Sequence, residues 1–311
     1  MSRKANALDL NGIFLLDKSP GITSNGALQR AKWLFRAKKA GHTGSLDPIA
    51  SGLLPLCLGE GTKLSGFLLN TDKRYQVRVR LGVATETGDT EGAVIETKPV
   101  PPLSAEFIEG YLAPFRGDIL QVPPMYSALK HQGQRLYDLA RKGIEVEREA
   151  RAVTIYELRL EDFDATSVDL DVHCSKGTYI RTLAEDLGRA MGCGGHVEIL
   201  RRTAVGDLKV ADAHTLDRLE ALAEAERPGL LLPLDTIVSD LPAVQLNDQL
   251  SFYLRKGEAV LVPKAPTEGW VRLYGRHSLF MGVGEVLDDG RIAPRRLVKL
   301  KREQPDGAAV P

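Results

Sequence analysis

Four consecutive apolar residues, Ile13-Phe14-Leu15-Leu16, open the patterned part of the chain. A run this short and this apolar predicts a buried strand. It closes in Asp17-Lys18-Ser19-Pro20-Gly21, where Pro-Gly marks a turn. Ser24 or Asn25 can then cap a helix running to Lys39 or Ala40, with Leu28, Ala31, Leu34 and Phe35 on its inner stripe and Gly41 as its stop. Residues 74 to 82 alternate strictly. Tyr75, Val77, Val79 and Leu81 form one face of a strand and Arg74, Gln76, Arg78 and Arg80 the other, which puts Tyr75 at the end of the buried side. A helix capped by Ser104 is expected over residues 104 to 111. Val168, Leu170, Val172 and Cys174 alternate again, and Ile180, Leu183, Ala184, Leu187 and Met191 then take up helical spacing.

Another helix is expected over residues 216 to 226, ending at Arg227-Pro228-Gly229. Beyond Asp235 the texture changes to short strands over residues 269 to 274, 279 to 287 and 291 to 300, with Asp288-Asp289-Gly290 as a hairpin turn. The pattern predicts an α+β chain: a large domain over residues 1 to 240 and a small β-rich one from 241 to 311, whose last residues, 304 to 311, are disordered.

Composition adds a charge argument. The chain has 311 residues, and Lys plus Arg equals Asp plus Glu at 41 each, which by itself speaks against a generic nucleic-acid-binding tail. The distribution points the other way. Residues 1 to 80 hold 13 basic and 5 acidic residues, a local +8 that suggests a phosphate-facing surface built from residues around 30 to 39 and 73 to 80. A second basic cluster, Arg295, Arg296, Lys299, Lys301 and Arg302, either meets phosphates or keeps the end soluble. Cys57, Cys174 and Cys193 are too few and too scattered for a disulfide framework or a zinc site, so free thiols in a reducing, cytoplasmic setting are expected. No secretory pattern and no run near eighteen apolar residues predicts export or membrane insertion.

One carboxylate stands apart. From Lys18 to Leu46 there is no Asp or Glu, so Asp47, in the turn-rich Gly41-His42-Thr43-Gly44-Ser45-Leu46-Asp47-Pro48, is the first negative charge after a long electropositive approach. That suits a single nucleophile beside a polyanion. Arg181 falls in the first turn of its helix, an unfavourable place for a cation unless a carboxylate faces it; an i,i+4 pair with Glu185 is the modest alternative. Residues 124 to 151 make a basic excursion, either a mobile surface hairpin or a ligand-gripping flap. Gly59-Glu60-Gly61-Thr62-Lys63 lacks P-loop spacing, the six histidines show no metal-ligand spacing, and no Gly-x-Ser-x-Gly is present.

GHTGSLDPIASG at 41 to 52, DKSPGITSN at 17 to 25, KRYQVRVRLG at 73 to 82 and SKGTYIRTLAEDLG at 175 to 188 together resemble the TruB family of tRNA pseudouridine synthases. The likeness runs to about residue 205, and the region after 241 is similar to a PUA-type RNA-binding domain. The resemblance implies a pseudouridine synthase fold with a mixed, mainly antiparallel central sheet. It also implies conversion of uridine 55 in the tRNA T-loop without cofactor or metal, by a stand-alone monomer. It makes Asp47 the catalytic aspartate, Arg181 its partner and Tyr75 the aromatic against the target uracil. His42 matches the residue filling the space of the flipped base, Lys18 and Pro20 a motif beside the site, Leu200 an apolar pocket wall, and Tyr179 a further substrate-binding position. An adjacent guanidinium is expected to hold Asp47 ionised. A non-catalytic tRNA-folding module, or the same chemistry on another RNA, are the competing readings.

Overall fold

The computed structural model describes residues 7–127 and 129–299. Arg3 and Lys4 of the basic count, Lys301 and Arg302 of the basic end, and the expected disorder over 304 to 311 lie outside the described residues.

The opening apolar run is strand β1 (Gly12–Lys18), which extends through Lys18. Its side chains alternate between two cores: Phe14 and Leu16 join one, Ile13 and Leu15 the other. Burial on both faces is why the run shows no polar alternation. Helix α1 (Ser24–Leu34) follows, capped by the Thr23 hydroxyl on the Gly26 amide. It stops five or six residues short of the expected end because Arg36 adopts a left-handed φ of 51°. Gly41 is therefore no helix stop; it lies in β2 (Ala40–His42). Next come β3 (Ser51–Leu58), α2 (Ser65–Leu69) and β4 (Lys73–Leu81), the last as its alternation predicts. A small hairpin, β5 (Val83–Thr85) and β6 (Val94–Thr97), precedes α3 (Ala105–Leu112), which Ser104 caps, and β7 (Gly117–Gln121). The basic excursion contains a two-stranded hairpin, β8 (Lys130–His131) and β9 (Gln134–Arg135), and α4 (Leu136–Ala140).

Strands β10 (Arg151–Phe163) and β11 (Ser167–Cys174) lead into α5 (Ile180–Ala190), β12 (Gly195–Val205), β13 (Leu208–Lys209) and α6 (Leu216–Ala221). That last helix is about half the expected length; a 3-10 turn over Arg227–Leu230 takes up part of the remainder. Strands β1, β3, β12, β4, β11, β10 and β7 form one sheet in that order, with β2 on β3 and β13 on β12. Every pairing in it is antiparallel except β3 with β12, which is parallel. There Gly52, at φ 99°, sits opposite Arg202; a Cβ on Gly52 would lie 2.2 Å from the Arg202 carbonyl oxygen.

A second sheet holds β14 (Ala243–Gln245), β15 (Val260–Leu261), β16 (Trp270–Tyr274), β17 (Phe280–Val286) and β18 (Arg291–Leu297), with α7 (Asp248–Arg255) beside it. It docks on the far face of the first sheet: Val283 and Val298 share a core with Ile13, Leu15, Leu53 and Cys57, and Trp270 meets Phe67 edge-on at 5.3 Å. The three cysteines are free and buried, and burial pushes the Cys57 and Cys174 thiols up to about 12. Among the described residues no helix is long and apolar enough to cross a membrane.

Candidate active site

The turn-rich loop carrying Asp47 is short of regular structure, and side chains from outside it fix its shape. The Ser24 hydroxyl, buried at the start of α1, donates to the Leu46 carbonyl at 2.8 Å and accepts the Leu46 amide at 2.7 Å. Lys18, fully buried, donates its ammonium to the carbonyls of Ser19, Ile22 and Pro48 at 3.0, 2.7 and 3.3 Å, tying the Pro20 turn to the same loop. Burial lowers its pKa to about 8, with the Asp47 charge resisting. The Pro-Gly turn thus serves the site directly.

Arg181 projects from the first turn of α5. Its Nε lies 3.0 Å from Oδ2 of Asp47 and its Nη2 3.4 Å from Oδ1. The other donors are also used: Nη1 donates to the Thr87 carbonyl at 2.9 Å and Nη2 to the Tyr126 carbonyl at 2.7 Å. The carboxylate expected from its helix position is therefore Asp47, and the pair with Glu185 does not form. A second carboxylate, Asp89, stands 3.8 Å from Nη1 and is itself buried, accepting from the Thr87 hydroxyl and from the Glu91 amide at 3.0 Å. Sequence reasoning missed Asp89. It sits among turn residues where an acid carries no periodic signal, and only the guanidinium between it and Asp47 reveals it.

The expected electrostatics of Asp47 need correction. Its pKa is raised, because loss of solvent around the loop outweighs the Arg181 guanidinium, and Asp89 adds repulsion to the same effect. The side chain keeps 39% of its surface open to solvent, so the carboxylate is oriented by Arg181 yet reachable. The expected phosphate-facing surface is also different in kind. Arg30 and Arg36 on or beside α1 pair with Glu220 and Glu224, and Arg74 and Arg78 on β4 pair with Asp171, Glu157 and Asp169 across the sheet. Much of the amino-terminal excess of positive charge is answered by acids from later in the chain.

Tyr75, half-buried on β4, lies opposite Val172 on β11 and Arg202 on β12, and burial raises its phenol pKa, with Arg202 opposing. His42 on β2 carries a buried Nδ1 without a partner, and burial, then Arg202, lowers its pKa. Tyr179 precedes α5, its amide donating to Gln121 at 3.0 Å, and its phenol pKa is raised by burial while Ser127 and Arg181 oppose. Leu200 is buried on β12 and borders, with Pro20, Ile49, Glu91 and Ile199, a cavity of about 390 Å³. Arg181 thus pairs with Asp47, and Lys18, Tyr75 and Tyr179 all lie close enough to feel its charge; Pro20 and Leu200 line the cavity beside Ile49. Among the described residues no cluster of three or more His, Cys, Asp or Glu could hold a metal.

Three family models tile most of the chain: TruB family pseudouridylate synthase (N terminal domain) over residues 32–180, tRNA pseudouridylate synthase B C-terminal domain over 181–239, and pseudouridine synthase II TruB, C-terminal, over 242–298. The chain is 58% identical over 299 residues to the tRNA pseudouridine synthase B of Nitrosococcus oceani, covering 95% of this chain and 97% of that protein. It is 50% identical to the enzyme of the same name from Vibrio parahaemolyticus, over 98% of this chain and 100% of that one. Among solved structures, an H/ACA RNP bound to a substrate RNA containing 2'-deoxyuridine matches at TM-score 0.70 and 22% identity, covering 94% of this chain and 86% of that one.

Proposed function

Because the chain belongs to the TruB family of tRNA pseudouridine synthases, we propose that it converts the uridine at position 55 of the tRNA T-loop to pseudouridine, with Asp47 as the catalytic aspartate. The observation that carries the assignment is the side-on contact of Arg181 with both oxygens of a carboxylate that remains open to solvent. The reaction exchanges the N1–C1′ bond of uridine for a C5–C1′ bond; C5 loses a proton and N1 gains one, so no net oxidation occurs. A carboxylate fixed by a planar fork, with its basicity raised by burial and not extinguished by the guanidinium, is suited to act as nucleophile or base at that centre.

The target base leaves its stack at a cost of a few kcal/mol. Tyr75 offsets part of that by stacking, worth about 1–3 kcal/mol, while Leu200 and Pro20 wall the cavity, Tyr179 contacts the substrate, and Lys18 supports its binding by tying the Pro20 turn to the Asp47 loop. A neutral His42 takes the vacated space. Lys130, Arg135, Arg141 and Lys142 surround a concavity of about 600 Å³ in the 124–151 insert, and we assign them the RNA phosphates. The division into a catalytic domain to residue 240 and a PUA-like RNA-binding domain beyond is supported by the two separate sheets. The enzyme works as a lone cytoplasmic monomer. Incubating a T-arm minihelix carrying 5-tritiated uridine with the protein and with Asp47→Asn tests the assignment. Tritium release by the wild type alone is expected; none from the wild type, or equal release by both, overturns it.

A further inference from the structure

The largest fully buried side chain among the described residues is a cation, Arg202, with 1% of its surface exposed. No carboxylate among those residues pairs with it. Its Nε donates to the Leu53 carbonyl at 2.8 Å and its Nη2 to the Gly44 carbonyl at 3.1 Å, three residues before Asp47. Taking a guanidinium out of water without an anion is costly, and neutral carbonyls compensate it only in part. Its position gives the reason. Arg202 on β12 and Tyr75 on β4 are directly opposed in the antiparallel register, so both side chains stand on one face of the sheet. The guanidinium, held by the two carbonyls, stands on the same face as the Tyr75 phenol, and its charge favours the ionised form of that group.

We propose that Arg202 is a positioning residue for the reaction: its guanidinium, anchored on Leu53 and Gly44, donates to the Tyr75 hydroxyl and fixes that ring and its proton relative to the Asp47 loop. A donor on the phenol oxygen leaves the phenol proton free to point elsewhere, toward the open side of the site. Because Gly44 belongs to the Asp47 loop and Tyr75 to a central strand, one guanidinium sets the distance between the carboxylate and the ring. Lysine could fill the space but has no planar fork with which to serve two carbonyls and a hydroxyl at fixed angles. The inference rests on the reading of Asp47 and Tyr75 as parts of a pseudouridine synthase centre.

The test is a double-mutant cycle on tritium release, with Arg202→Lys made in the wild type and in Tyr75→Phe, which keeps the ring and removes the hydroxyl. Arg202→Lys is expected to lower kcat by at least about tenfold in the wild type with KM within about twofold, and by no more than about twofold in Tyr75→Phe. An equal loss in both backgrounds means Arg202 merely supports the fold and overturns the proposal. Should Arg202→Lys fail to fold, the guanidinium 15N resonances of Arg202 in wild type and Tyr75→Phe need no change at Arg202. A shift on loss of the hydroxyl is expected, and unchanged resonances overturn the proposal. A wild type that makes no pseudouridine sinks the reading of the whole site, whereas an active wild type with additive losses sinks the role of Arg202 alone.

Discussion

The same pairing of arginine with carboxylate occurs on the flank of α1 and at the mouth of the Asp47 loop, and the two behave differently. On α1, Arg30 and Glu220 keep 50% and 46% of their side-chain surface in water. At the loop, Arg181 keeps 6%, shares itself among Asp47, Asp89 and two carbonyls, and leaves Asp47 with a raised pKa. Solvent screening leaves the first pair about 1 kcal/mol or less. In the second, the low dielectric strengthens each contact and also penalises the charge, so the carboxylate is held in place while its basicity increases. The surface pairs balance charge; the buried one sets chemistry.

Replacing Asp47 by Asn breaks the buried side of this contrast most completely, and turnover should fall by up to about 10⁴-fold while RNA binding, read by filter retention, persists. Arg181→Lys comes next. It should cost about 10²- to 10³-fold in kcat with RNA affinity nearly unchanged; equal losses in both would contradict the orienting role. Acidification tests the buried carboxylate in a second way. Asp47 must ionise to act, so activity should fail on acidification at a pH above the usual carboxylate range. Because its folded pKa is raised above the unfolded value, ionised Asp47 costs stability once the pH climbs past the unfolded pKa, and the full cost is present above the folded one. Asp47→Asn should therefore melt higher than wild type at neutral pH, the gap closing as pH drops below the unfolded pKa. The smallest effect belongs to the surface: the Arg30–Glu220 coupling from a double-mutant cycle in thermal unfolding should be about 0.2–1 kcal/mol, shrink with salt and leave turnover alone.

The parts of the fold that are legible in sequence are those with one buried face. Strand β4 and helix α5 follow their periodicities closely because water touches their other side. Strand β3 gives no such signal, because Ser51–Leu58 is flanked on both edges and buried on both faces, which leaves continuous apolar sequence with Pro55 inside it and no alternation to read. The end of α1 is hidden because a single left-handed residue, Arg36, stops it without glycine or proline. At the site, the isolation of Asp47 and the odd placement of Arg181 carry real information, and their contact joins residues 134 apart in sequence. Arg202 and Asp89 leave no trace, since their significance lies in what the tertiary structure puts beside them. The amino-terminal excess of charge is only partly legible, because sequence shows where cations are and not which acids pair with Arg30, Arg36, Arg74 and Arg78.

The parallel seam where Gly52 faces Arg202 has a practical consequence. A single methyl group there would act as a wedge, prising apart the two strands that join the early and late halves of the sheet, and it would do so 2.2 Å from the backbone of the residue that steadies Tyr75. Screens that score colonies for lost modification would therefore count Gly52→Ala as an active-site hit, although it removes no reacting group. Soluble yield, not turnover, is the quantity that exposes the difference.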